Sequence, residues 1–114
     1  MKLKELIEKL NLEVRSGSDK LDNEIKSGYV SDLLSDCLAH AKEGDIWITL
    51  QTHQNIIAVA SLKNISAILL INGREPEDDT LKKAKEMDVP ILASKLPAFE
   101  VVGRLYNFGI SGMR

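Results

Sequence analysis

Between Gly44 and Pro97 the chain alternates short, unbroken apolar runs with longer segments of helical spacing. The runs cover residues 46–50, 67–71 and 90–93. They are rich in Ile and bounded by Gly, Asn and Pro, which suits strands buried on both faces. Strands alternating with helices of about a dozen residues predict right-handed βαβ units in a parallel sheet. Ile56, Ile57, Val59, Ala60 and Leu62 mark the first intervening helix, closed by Asn64. The second runs from Glu75-Pro76 to Met87, with Pro76 tolerated near its first turn and Glu77, Asp78 and Asp79 favourably placed against its dipole. Asn72-Gly73 forces a turn between the second strand and that helix.

The flanks extend the same pattern. Leu3, Leu6, Ile7 and Leu10 stand at helical spacing, and Asn11 ends that helix. Residues 12–14 and 24–30 are strand candidates separated by a polar loop. Ser31 or Asp32 is placed to cap a helix over residues 33–41, stopped by Lys42 and Gly44. Thr52 is the cap candidate for the helix after the central strand. A last helix spans 97–108 with Phe99, Val102, Leu105 and Tyr106, and residues 109–114 are a tail that is loose or docks on a partner subunit. The expected fold is therefore a single three-layer α/β domain, a mainly parallel central sheet flanked by helices.

Composition narrows the function classes. The chain has 114 residues, 44% of them hydrophobic, enough for one domain with its own core. Its formal net charge of −2 supplies no strong field for nucleic acid or an acidic membrane surface. Cys37 is the single cysteine, which excludes an internal disulfide and a cysteine-cluster metal site. Between Leu33, Leu34 and Leu38 it reads as a small buried hydrophobe. No apolar run approaches the roughly 18 residues of a membrane span, and the start is no signal peptide, so the expected location is the cytoplasm. There is no phosphate loop of the GxxxxGK[ST] type, no GxGxxG and no GxSxG elbow. His40 and His53 show no metal-binding spacing, and no carboxylate pair can be placed as acid and base. The expectation is a non-enzyme with no cofactor, no metal and no catalytic residue.

Candidate binding residues come from topology. In open parallel sheets ligands bind beyond the carboxyl ends of the strands. Those ends carry Ser31 and Asp32; Gln51, Thr52, His53 and Gln54; Asn72, Gly73 and Arg74; and Ser94 and Lys95. With Arg74, Lys95 and several helix N-termini facing one crevice, an anion is the expected ligand. Arg74, as a planar fork, is the best single residue to hold it. The bland alternative is that these groups only cap helices and turn corners, with Arg74 paired to Glu77 or Asp78.

Four segments carry a family resemblance: Gly28-Tyr29-Val30-Ser31-Asp32-Leu33-Leu34, Ala41-Lys42-Glu43-Gly44-Asp45-Ile46-Trp47-Ile48-Thr49, Gly73-Arg74-Glu75-Pro76, and Val89-Pro90-Ile91-Leu92-Ala93-Ser94. Together they resemble the DRTGG domain family over nearly the whole chain. The last two also look like the N-terminal domain of HPr kinase/phosphorylase, without its kinase half. Thr52-His53 stands where the family has Asp-Arg, and Ile71-Asn72-Gly73 where it has Thr-Gly-Gly. The resemblance implies a regulatory module like those found beside CBS domains in larger enzymes, sensing a small anionic metabolite or an adenine nucleotide. The competing expectation is an accessory module that docks on a larger enzyme and takes no small ligand. A homodimer is also expected, to protect sheet edges, with Trp47, Phe99, Tyr106 and Phe108 as candidate contacts.

Overall fold

A computed structural model describes residues 1–113. The elements run α1 (Leu3–Leu10), β1 (Glu13–Ser16), β2 (Ser27–Val30), α2 (Leu34–His40), β3 (Asp45–Thr49), α3 (Asn55–Leu62), β4 (Ala67–Leu70), α4 (Asp78–Glu86), β5 (Ile91–Ala93) and α5 (Ala98–Asn107). They form one sheet in the order β1-β5-β4-β3-β2. β2 to β5 are parallel, and β1 is antiparallel to β5.

The strand order from β2 to β5 steps in one direction, so same-handed crossovers place α2, α3 and α4 on one face of the sheet. There Trp47, Ile68, Leu70 and Ile91 meet Cys37, Ile56, Ile57, Val59, Ala60 and Ala84. The alternate strand residues Ile46, Ile48, Leu69 and Leu92 turn to the other face, against Leu3, Leu6 and Leu10 of α1 and Val101 and Leu105 of α5. Every residue of β3, β4 and β5 is buried. This is why those strands appear in the sequence as unbroken apolar runs rather than alternating ones.

Local corrections have physical causes. No helix has a side-chain cap of the expected kind. Ser31 Oγ accepts the Leu33 N–H at 3.1 Å, one residue before α2 begins. Asp32 is drawn to the neighbouring strand instead. Its Oδ1 accepts the Thr49 hydroxyl at 2.8 Å and the Leu50 N–H at 2.7 Å. At α3 it is His53 Nδ1, not Thr52, that accepts a local N–H, from Asn55 at 3.2 Å. α4 starts at Asp78, later than the expected start at Glu75-Pro76, and Pro76 lies just before its N-cap Glu77. The Glu77 N–H is spent on the Thr52 carbonyl at 3.2 Å, which anchors the entry to α4 on the end of β3. Trp47 is fully buried, with Nε1–H donating to the Ser31 carbonyl at 2.9 Å, so it is a core residue and no contact for a partner. Phe108 is also engaged internally, packed on the α1/α5 core beneath the Lys9 ammonium.

The sheet edges are protected within the chain. At β2 the Gly28 N–H donates to the Ser111 carbonyl at 3.0 Å, and Ile110 is buried, so the tail docks on its own edge strand. Arg114 lies outside the described residues. At the other edge β1 carries a bulge: Val14 faces Leu92 and Ser16 faces Ile91, leaving Arg15 as the extra residue.

Candidate functional site

The carboxyl ends of the parallel strands share one edge, but their polar residues form three groups rather than one crevice. At β2 and β3, Asp32 is tied to Thr49 and Leu50, and Gln51 Nε2 donates to the Asp32 carbonyl at 3.0 Å. This is a closed network that locks two strand ends. In the second group, the Thr52 carbonyl accepts the Thr80 hydroxyl at 2.7 Å, and the Thr52 hydroxyl donates to Glu77 Oε2 at 3.3 Å. His53 and Gln54 beside it are exposed.

The third group lines a cleft of about 340 Å³ at the ends of β4 and β5. Gly73, Ser94 and Lys95 are there, as read from the sequence. The turn that builds it is Asn72-Gly73, both with left-handed backbone at φ 56° and 71°. Their N–H groups donate to the carbonyls of Leu96 and Ser94, each at 3.0 Å, strapping the β4 turn to the β5 exit. The Ser94 hydroxyl accepts the Leu96 N–H at 3.1 Å, which turns the chain into α5.

Asn11, Glu13, Glu75 and Arg104 complete the cleft, with Leu10, Ala93 and Leu96 as its apolar surface. Sequence reading left all four out of the site: Asn11, Glu13 and Arg104 arrive through the antiparallel β1–β5 pairing and the packing of α1 and α5, while Glu75, in the β4–α4 loop, was read only as a helix start. Arg15 reaches in behind them. Its Nη2 donates to Glu13 at 2.6 Å, while its Nε and Nη2 donate to Glu75 at 2.6 and 2.9 Å. The β1 bulge carries that arginine. Its hydrogen bonds hold the Glu75 carboxyl below the usual range, and the two carboxylates raise the guanidinium further above its own.

The cleft therefore sets Arg15, Lys95 and Arg104 against Glu13, Glu75 and the C-terminal end of α1, whose carbonyls carry partial negative charge. Lys95 makes no ion pair among the described residues, and Arg104 only a long one, to Glu100 at 3.7 Å. Arg74 is exposed, pairs with neither Glu77 nor Asp78, and does not line the cleft. A larger, more open hollow of about 540 Å³ lies at the opposite end of the sheet, beside Gly44, Ser66 and Pro90. Two lysines line it: Lys26 is paired with Glu43 at 3.0 Å, and Lys20 makes no ion pair among the described residues.

Other chemistry is sparse. No group of three or more His, Cys, Asp or Glu among the described residues could hold a metal ion. No helix among them is long and apolar enough to cross a membrane. Burial pushes the Cys37 thiol above its ordinary pKa, which suits a core residue and not a nucleophile.

A single α/β domain with a polar cleft at its carboxyl edge is the class that fold and site define. Comparison with known families makes it specific: the DRTGG domain model matches residues 5–108, and the chain belongs to that family. The fold is similar, at TM-score 0.72 and 18% identity, to a crystal structure of the CBS and DRTGG domains of the regulatory region of Clostridium perfringens pyrophosphatase, complexed with its activator diadenosine tetraphosphate. The match covers 91% of this chain and 45% of that one, so this chain spans under half of its neighbour. Among curated proteins none matches.

Proposed function

We propose that this chain is a non-catalytic regulatory module that binds a small anionic ligand in the β4–β5 cleft, an adenine nucleotide being the favoured class. The observation that carries this is the pair of cations, Lys95 and Arg104, which line the cleft while the fold makes little use of either charge. Glu13 and Glu75 share Arg15, which offsets one of their two charges, so with Lys95 and Arg104 the cleft keeps a small net positive charge. The apolar surface of Leu10, Ala93 and Leu96, with Asn11 and Glu13 beside it, suits a ligand with a planar polar end as well as an anionic one. The neighbour's nucleotide activator supports the same class. At about 340 Å³ the cleft is at the low end of small-molecule sites, so it suits one nucleotide unit rather than two.

The test is calorimetry and thermal shift with inorganic phosphate, AMP, ADP and ATP. A ligand binding only the folded state adds about 2.7 kcal/mol of stability at 100 times its dissociation constant. Lys95→Ala and Arg104→Ala should each weaken binding by about 1.5–3 kcal/mol, the scale of a charged hydrogen bond. Arg74→Ala, outside the cleft, should bind as the parent does. No response to any of the four ligands defeats the reading. It would favour the second one, docking on a larger enzyme, for which the neighbour's place in a pyrophosphatase regulatory region speaks.

A further inference from the structure

α5 is apolar on two sides. Val101 and Leu105 are buried against the sheet. A second row, Phe99, Val102, Gly103 and Tyr106, follows the three-and-four spacing of one helix face. Phe99 is 92% exposed and Tyr106 56%. A surface helix packed on one side ordinarily presents polar residues elsewhere.

The row borders an opening in the architecture. Three helices cover one face of the sheet, but only α1 and α5 cover the other. Five strands at about 4.8 Å spacing make a sheet some 24 Å wide, and two helices at 8–10 Å cover about 20 Å of it. The uncovered part is beside β2. A cleft of about 160 Å³ lies there between Gly28, Val30 and Ile48 of the sheet and Val102 and Tyr106 of α5. Val30 is 49% exposed, and Met113, next in the chain to Gly112 of the cleft lining, 82%.

We propose that a second copy of this chain fills that opening, packing α5 against α5 as an antiparallel pair about a two-fold axis between Val102 and Gly103. The row is its own complement under that operation. Phe99 is as far before the axis as Tyr106 is after it, so Phe99 meets Tyr106 of the partner subunit. Val102 meets Gly103 of the partner subunit, a branched side chain against a gap. The gap is real in the protomer, since a Cβ added at Gly103 would have no neighbour within 4 Å. Such a contact is isologous and closes as a dimer.

Area supports this occupant. The exposed parts of Phe99, Tyr106, Val30 and Met113 offer roughly 500 Å² of apolar surface. That is near the top of the roughly 300–600 Å² of a monomer's largest patch and supplies more than half of the roughly 800 Å² per partner of a stable interface. No residue of the row is charged, so two copies meet without like-charge repulsion. Strand addition is closed to them at Gly28, and the β1 edge is guarded by the paired charges of Glu13 and Arg15.

The test is sedimentation equilibrium of the full chain at high-micromolar concentration, where twice the protomer mass is expected. Gly103→Leu fills the gap without touching the protomer's own packing and replaces a poor helix former, so its monomer should melt no lower than the parent's. It should still weaken the dimer about tenfold or more. Phe99→Glu should do the same, and Leu62→Glu, exposed on α3, should leave the dimer intact. A monomeric parent overturns the proposal. So does a dimer that Gly103→Leu and Phe99→Glu leave unchanged, or one that only Leu62→Glu breaks.

Discussion

Ser16→Ala tests whether the β1 bulge holds the cleft together. Ser16 is buried, and its hydroxyl does two jobs on β5's side of the sheet. It donates to the Val89 carbonyl at 2.8 Å and accepts the Ile91 N–H at 3.0 Å. Those two main-chain groups flank the start of β5, where the bulge interrupts the register. Alanine fits the space but leaves a buried acceptor and a buried donor unsatisfied. At about 1–3 kcal/mol for each such group, with partial relaxation, the loss should be about 2–4 kcal/mol. That is a large share of the roughly 5–15 kcal/mol that stabilises a domain. With a urea m-value of about 1.5 kcal/mol/M, the midpoint should fall by roughly 1.5–2.5 M. Hydrogen exchange reads the cause directly, because the Ile91 amide should lose protection more than amides in β3. The same bulge delivers Arg15 to Glu75 and Glu13, so the variant should also weaken any anion bound by the cleft. A stability loss within about 0.5 kcal/mol, or an Ile91 amide as protected as before, would refute the reasoning.

Two further outcomes follow from single residues. Gly73→Ala and Gly17→Ala both force alanine into left-handed backbone, at φ +71° and +81°, but only Gly17 is also crowded, its added Cβ falling 2.6 Å from Pro90 Cα. Urea unfolding should show a cost of about 1–2 kcal/mol at Gly73 and a clearly larger one at Gly17; equal costs would mean that Pro90 yields freely. Asp36 accepts the Tyr29 hydroxyl at 2.7 Å and pairs with His40 Nδ1 at 3.0 Å, and these contacts, led by the Tyr29 bond, hold its carboxyl below the usual Asp range. A carboxylate lowered on folding contributes stability above its unfolded pKa of about 3.9 and loses it as pH falls through the lower folded value. The melting-temperature gap between the parent and Asp36→Asn should thus be open at neutral pH and close toward pH 2, while Tyr29, its pKa pushed up to about 12, titrates late in ultraviolet absorbance; a gap that persists at low pH would sink this.

Much of the fold was legible because burial on both faces leaves a plain mark. β3, β4 and β5 read as apolar runs since each strand residue lies under one layer of helices or the other. Asn11, Asn64 and Asn72 were correctly read as breaks, and each has positive φ. Helix starts were less legible, since the nearby Ser, Thr and Asp groups are claimed by other strands. Asp32 bonds across to Thr49, and Thr52 serves through its carbonyl. Half of the cleft was invisible for a topological reason. Nothing local in Glu13-Val14-Arg15-Ser16 says that this strand pairs antiparallel with β5, more than seventy residues later in the chain. Arg104 was equally hidden, since its place depends on how α5 lies beside the end of α1.

The carboxyl edge can be divided by what the fold consumes. At β2 and β3 it consumes the polar groups nearly completely: Asp32 accepts two hydrogen bonds, Gln51 closes the network, and the Thr52 carbonyl carries both Thr80 and Glu77. Thr52 and His53 hold this corner chiefly through main-chain groups and one local ring nitrogen. This corner therefore needs no charged side chain at Thr52 or His53 to hold its shape. At β4 and β5 the balance is the reverse. The turn is strapped by backbone bonds from Asn72 and Gly73, and the charged side chains Arg74 and Lys95 are left over. Arg104 joins Lys95 at the cleft, and Arg15 offsets one of the two carboxylate charges that oppose them. Charge that a fold does not use internally is free to act on something outside it. Along the carboxyl edge that charge lies at the end of β5, so on the proposed reading a ligand recognised by charge is expected there rather than at the end of β3.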